Sequence, residues 1–162
     1  MKESKIEIPV KVYAYEELSQ ADRQLVDKAK GMTHHSYAPY SHFSVGAAAL
    51  LANGETVCGS NQENAAYPSG LCAERTTLFY ANSQYPDVAV TTIAIAARNE
   101  SGEFVGQPVS PCGACRQVML ESQWRGGAPL RILLYGTEGI YELAKVEDLL
   151  PLCFTAESMA VE

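Results

Sequence analysis

Cys112 and Cys115 are separated by two intervening residues in Pro111-Cys112-Gly113-Ala114-Cys115-Arg116, and Cys72 lies thirty-nine intervening residues earlier in Leu71-Cys72-Ala73-Glu74-Arg75. The CxxC pair has metal-clip spacing. If all three sulfurs serve one ion, the fold must bring residue 72 beside residues 112 to 115. Three thiolates leave one tetrahedral position of a zinc ion open. Catalytic zinc sites keep such a position for water, whereas structural sites close it with a fourth ligand. Glu74, two positions after Cys72, is a carboxylate that could shuttle protons for that water.

The rest of the chain has to supply a pocket and a substrate. With 162 residues it is expected to form a single domain able to bury a core. Twelve Lys and Arg against nineteen Asp and Glu give a formal charge of -7, which disfavours a long polyanionic partner such as DNA or RNA. A small neutral substrate fits better. No apolar run approaches the ~20 residues of a membrane span. The first residues carry mixed charge and no apolar stretch, so no export signal is expected and the protein is read as cytoplasmic. Five cysteines in such a chain read as free thiols or metal ligands.

Along the chain, Ile6, Ile8, Val10 and Val12 alternate as in a strand, which Pro9 would confine to an edge. Ser19 and Asp22 form a capping-box-like start for a helix over 20–35, closed by His34 and His35, whose imidazoles complement the helix dipole. Strands are expected at 43–52 and 55–60, joined by the hairpin signal Asn53-Gly54, and at 91–97, 131–135 and 140–143. Helices are expected at 72–81, with Leu78 and Phe79 facing inward, at 112–122, and briefly at 146–150. Strands alternating with helices give an α/β layer structure, and the hairpin makes its sheet mixed.

Both cysteine pieces thus fall at helix N-termini. Free backbone N–H groups and the positive dipole end favour thiolates there. Arg75 and Arg116, each directly after a cysteine, could donate to the sulfurs. Cys58 fits a small core residue or a fourth ligand that would make the site structural, and Cys153 fits a packing residue. The polar loop 61–70 leads directly into Cys72.

Four segments together resemble the cytidine deaminases, a family of zinc-dependent nucleoside enzymes. They are Pro39-Tyr40-Ser41-His42-Phe43-Ser44-Val45-Gly46, Asn61-Gln62-Glu63-Asn64-Ala65, Cys72-Ala73-Glu74-Arg75 and Pro111-Cys112-Gly113-Ala114-Cys115-Arg116-Gln117. The likeness runs from about Ser19 to Phe154, and a three-cysteine version of the zinc-deaminase signature is established. The resemblance implies a three-layer αβα fold with a mixed five-stranded sheet. It implies one Zn²⁺ on Cys72, Cys112 and Cys115, with Glu74 as proton shuttle. Asn61 and Glu63 would hold the ribose hydroxyls, Phe43 would pack on the pyrimidine, and the Ala73 backbone would meet the base edge. It further implies a homotetramer in which Tyr67 and Phe154 approach a neighbouring subunit's site.

The expected reaction converts cytidine or 2′-deoxycytidine to the uridine and ammonia, a step of pyrimidine salvage. Its rivals are a related deaminase for another cytosine-containing small molecule and a non-catalytic zinc module. Two departures from the family pattern stand out. Thr155-Ala156 occupies the place of an expected Gly-Pro, and residues 1–15 are an extension outside the family's minimal core, read as an added edge strand or a subunit contact.

Overall fold

The computed structural model describes residues 1–159. Its centre is set by alternation. In β2 (Ser44–Leu51), Ala47, Ala49 and Leu51 face one side and Ala48 the other. In β4 (Val90–Arg98), Ile93 and Ile95 oppose Ala94 and Ala96, and in β5 (Arg131–Gly136), Ile132 and Leu134 oppose Leu133. Both faces of these strands are therefore apolar and both must be covered.

Helix α1 (Gln20–Met32) covers the alanine-rich face through Leu25, Val26 and Ala29. Helices α2 (Ala73–Gln84) and α3 (Gly113–Gly126) cover the opposite face. The α1 side is shallow because its sheet residues are small. At Gly46 a Cβ would lie 2.1 Å from the Ala29 carbonyl oxygen, so main chain meets main chain with no side chain between.

With β1 (Lys11–Tyr13), β3 (Thr56–Ser60) and β6 (Gly139–Leu143), the sheet has the order β1-β6-β5-β4-β2-β3. Among the strand pairs of the described residues, only β4 and β5 run parallel. The three-layer mixed α/β arrangement matches the expectation, but the described residues form six strands where five were expected. The extra strand is β1, which pairs antiparallel with β6 at the edge. It is shorter than the alternation over 5–13 suggests, because β6 ends at Leu143, opposite Val10, and leaves nothing opposite the residues before that.

Other boundaries differ, and the short helix expected over 146–150 is a 3₁₀ turn at Val146–Asp148. The first helix passes into a 3₁₀ turn at Thr33–His35. The last turns of α2 and α3 run on past residues 81 and 122, and α3 stops at Gly127 in a left-handed conformation (φ 62°). Phe79 is exposed, because the inward stripe of α2 is Ala73, Glu74, Thr77, Leu78 and Ala81, and Phe79 falls a third of a turn off it.

Charges and a cage tie the N-terminal extension to this frame. Lys11 Nζ is 2.9 Å from Glu142, whose other oxygen is 3.0 Å from Arg131, and Arg131 also holds Asp22 of α1 through both terminal nitrogens. Tyr15 donates its hydroxyl to Asp27 at 2.7 Å. Lys30 Nζ lies 5.2, 5.3 and 4.7 Å from the ring centres of Tyr15, Phe104 and Tyr135.

Candidate metal centre and adjoining cavity

Cys72 and Cys112 are the N-caps of α2 and α3, both with extended backbone, and Cys115 follows within the first turn of α3. The helices lie side by side on one face of the sheet, which brings their N-terminal ends together. Cys72 Sγ is 3.8 Å from Cys112 Sγ, and Cys112 Sγ is 3.4 Å from Cys115 Sγ. All three sulfurs lie within 4.8 Å of one another. A tetrahedral ion with Zn–S bonds of about 2.3 Å holds its sulfurs about 3.8 Å apart, so the cluster fits zinc. Cys58 has no part in it. Cys58 is in β3 and packs into the core on the α1 side, with burial raising its thiol pKa.

The cluster favours ionisation at one sulfur. The Cys72 thiol is pulled down to about 5, chiefly by hydrogen bonding from Cys115 and also by the Arg75 guanidinium, against the opposing effect of burial. Cys115, the donor in that exchange and fully buried, is pushed up. Loading zinc replaces these shared protons, because each ligand must be a thiolate.

The two arginines sit differently. Arg75 Nη2 is 3.7 Å from Cys72 Sγ and 3.5 Å from the Gly70 carbonyl. Arg116 donates to the carbonyls of Pro111 and Leu149, each at 2.8 Å, and to Ser110 Oγ at 3.0 Å. It braces the loop that delivers Cys112, and none of these bonds goes to a sulfur. Glu74, in the first turn of α2, is only 5% exposed. Burial above all, with the Cys72 thiolate adding, pushes its carboxyl up.

A cavity of about 440 Å³ opens beside the cluster, and its wall includes Cys72 and Arg75 together with Tyr40, Asn61, Glu63 and Tyr67. Glu63 accepts the backbone N–H groups of Tyr40 at 2.9 Å and Ser41 at 3.2 Å. Hydrogen bonding from Ser41 and Tyr40 holds its carboxyl below the usual range. Asn61 is buried, and its Oδ1 accepts from Ser36 Oγ at 2.5 Å and from the Val45 N–H at 2.8 Å. Its Nδ2 donates to the Phe43 carbonyl at 2.9 Å. The segment around it is held between two neighbours, since Gln62 bridges to both Tyr37 and Leu71.

Phe43, Ala73 and Phe154 lie outside the cavity wall, as do Glu74, Cys112, Cys115 and Arg116. Phe43 is half-buried, Ala73 is fully buried, and Phe154 is exposed, with its carbonyl accepting from Gln117. Tyr67 is exposed on the wall and meets Tyr40 edge-on at 6.0 Å. The sequence suggested no individual role for Ser36, Tyr40 or Ser41, although the last two lie in a segment that carries the family resemblance. Ser36 lies in a turn-rich loop with nothing to mark it, and Tyr40 and Ser41 reach Glu63 through backbone groups that every residue type carries.

The family model described as the cytidine and deoxycytidylate deaminase zinc-binding region matches residues 19–126. A cytidine deaminase of Halalkalibacterium halodurans is 41% identical over 141 residues, covering 85% of this chain and 98% of that protein. One from Sporosarcina psychrophila is 39% identical over 137 residues, covering 85% of this chain and 93% of that protein. Among solved structures, cytidine deaminase from Burkholderia pseudomallei superposes with a TM-score of 0.69 at 37% identity, covering 85% of this chain and all of the other. That from Mycobacterium tuberculosis gives 0.63 at 34% identity, covering 85% and 98%.

Proposed function

This chain belongs to the cytidine deaminase family and is a zinc-dependent hydrolase that deaminates cytidine, and on that premise we propose that Glu74 moves the protons while Asn61 and Glu63 hold the sugar. Cys72, Cys112 and Cys115 hold the zinc. Zinc bound by these three sulfurs would supply the activation of water as a nucleophile.

The chain's own residues do the rest. Glu74 takes a proton from the attacking water and gives it to N3 of cytosine, which makes C4 more electrophilic. It then carries the second proton to the leaving amine, so that cytidine and water become uridine and ammonia. Its near-complete burial supports this role, because bulk water cannot intercept the proton. Glu63 is already fixed by two backbone donors, which supports a carboxylate poised to accept from a sugar hydroxyl. Phe43 packs on the pyrimidine and Ala73 offers main-chain contacts to the base edge. Arg75 donates toward Cys72, and Arg116 acts on the cluster through the loop it braces. 2′-Deoxycytidine is turned over as well, as in pyrimidine salvage.

We further propose a cytoplasmic homotetramer whose sites lie at subunit contacts. The exposed aromatic rings of Tyr67, on the cavity wall, and Phe154 support this, since each would be covered by or would enter a neighbouring site. No helix among the described residues is long and apolar enough to cross a membrane.

The observation that carries the sugar-binding part is that Cys72 and Glu63 share one cavity wall. Zinc analysis alongside turnover of cytidine, deoxycytidine, cytosine and deoxycytidylate tests it. One zinc per chain and a strong preference for the nucleosides over free cytosine are expected. Equal turnover of cytosine would overturn the assignment of Asn61 and Glu63.

A further inference from the structure

Ile6, Ile8, Val10 and Val12 occupy alternate positions and are 43–60% exposed. Scattered apolar residues on a surface need no account, but four in a row at one edge do. The row leads into and includes β1, the edge strand, which has no strand on its outer side among the described residues. It also lies ahead of residue 19, where the match to the family model begins. Of these four residues the chain's own sheet pairs only Val12, with Tyr141, because β6 ends at Leu143, opposite Val10.

We propose that residues 5–13 are a docking edge for a second copy of this chain, the two segments pairing antiparallel about a two-fold axis at Pro9. Ile8 then faces Val10 of the second copy and Ile6 faces Val12 of the second copy, all on one face of the new ladder. On the other face Glu7 meets Lys11 of the second copy. Lys11 is already held at the edge by Glu142, 2.9 Å away, so a cation stands ready for that carboxylate. Cross-strand apolar pairs and opposite charges both favour this register.

The neighbouring registers are poorer. An axis at Glu7 sets that carboxylate against itself, and an axis at Ile8 sets Lys5 against Lys11. An axis at Ile6 places Ser4 and Lys2 against Ile8 and Val10. An axis at Val10 leaves Glu7 and Lys11 without opposite charges. Proline and lysine usually blunt an edge. At the axis, however, two facing residues can form the non-hydrogen-bonded kind of pair, where each N–H points away from the other strand. Pro9 then forfeits no ladder bond, and Lys11 becomes an attraction. The contact is isologous and closes on itself.

Two measurements on the zinc-loaded full chain test this. In a non-hydrogen-bonded pair the facing Cα atoms are about 4.5 Å apart, within reach of a disulfide. Pro9→Cys treated with diamide should give a covalent dimer on a non-reducing gel, absent from the unaltered chain and from Glu7→Cys. Ile8→Asp, which puts a carboxylate into the apolar row, should at least halve the mass seen by sedimentation at equal concentration. Glu7→Cys cross-linking as fully as Pro9→Cys would overturn the register. An Ile8→Asp chain sedimenting with the unaltered one would overturn the docking edge itself.

Discussion

Ser36 donates its hydroxyl to Asn61 Oδ1 at 2.5 Å, and this bond decides what Asn61 can offer a substrate. The same oxygen takes the Val45 N–H, and one Nδ2 hydrogen goes to the Phe43 carbonyl. The acceptor is saturated and a single N–H remains, so in the proposed sugar-binding role Asn61 would donate and Glu63 would accept. Ser36→Ala removes one neutral hydrogen bond, worth about 1 kcal/mol, and should raise KM for cytidine roughly fivefold with kcat changed less. Steady-state kinetics on the two proteins checks this, and an unchanged KM would show that Ser36 does not position Asn61.

Glu74→Gln keeps the shape of the side chain but cannot accept and return a proton. It should bind zinc normally and turn over at least ~100-fold more slowly. Metal analysis and the loss of cytidine absorbance, measured on one preparation, separate proton transfer from metal binding.

Stripping zinc should expose a reactive thiolate at one position. With its pKa near 5, Cys72 is largely ionised at pH 6.5 in the metal-free chain, whereas Cys115 is held protonated and buried. Iodoacetamide at that pH should label Cys72 well ahead of Cys115, and zinc should protect both. Peptide mass spectrometry reads the order directly.

The Asp22–Arg131 pair predicts a pH-dependent contribution to stability. Burial raises the Asp22 carboxyl, but the Arg131 and Ser19 hydrogen bonds outweigh it and the net shift is downward. A carboxyl lowered by folding stabilises the fold fully above its unfolded pKa of about 3.9, and the gain is lost as pH falls below that toward the folded value. Asp22→Asn should therefore cost about 1 kcal/mol at pH 7, a fall in Tm of about 2–4 °C, and much less near pH 3. Thermal melts at the two pH values decide it, and an equal loss at both would count against the ion pair.

Gly46→Ala should be severe for so small a change. A Cβ there collides with the Ala29 carbonyl and the backbone around Met32 and Thr33, none of which can rotate aside. A loss of about 1–3 kcal/mol by chemical denaturation is expected, at the upper end of that range.

The metal cluster was legible because its information is local. A CxxC pair and a Cys-Ala-Glu, each opening a helix, fix which atoms face the ion once the helices lie side by side. The core strands were legible from alternation, as at Ile93, Ala94 and Ile95. What could not be read depends on contacts distant in sequence. β1 is short because of where β6 ends, a fact located some 130 residues away at Leu143. Phe79 was placed inward on composition, while the geometry of α2 left it outside. Arg116 resembles a donor to sulfur by adjacency, but its hydrogen bonds go to Leu149, Pro111 and Ser110, and only the first of those lies far along the chain. The Ser36–Asn61 bond joins two loops that carry no shared pattern.

The bare contact at Gly46 has one more consequence. The gap between α1 and the sheet there is set by two stretches of backbone, with no side chain to trim or enlarge. Repacking the α1 face by mutation can change its chemistry and its fill, but that one distance has no adjustable part. Because α1 runs through Thr33–His35 straight into Ser36, the Asn61 side of the cavity is tied to this fixed contact. Attempts to broaden the substrate range by loosening this helix will therefore meet resistance.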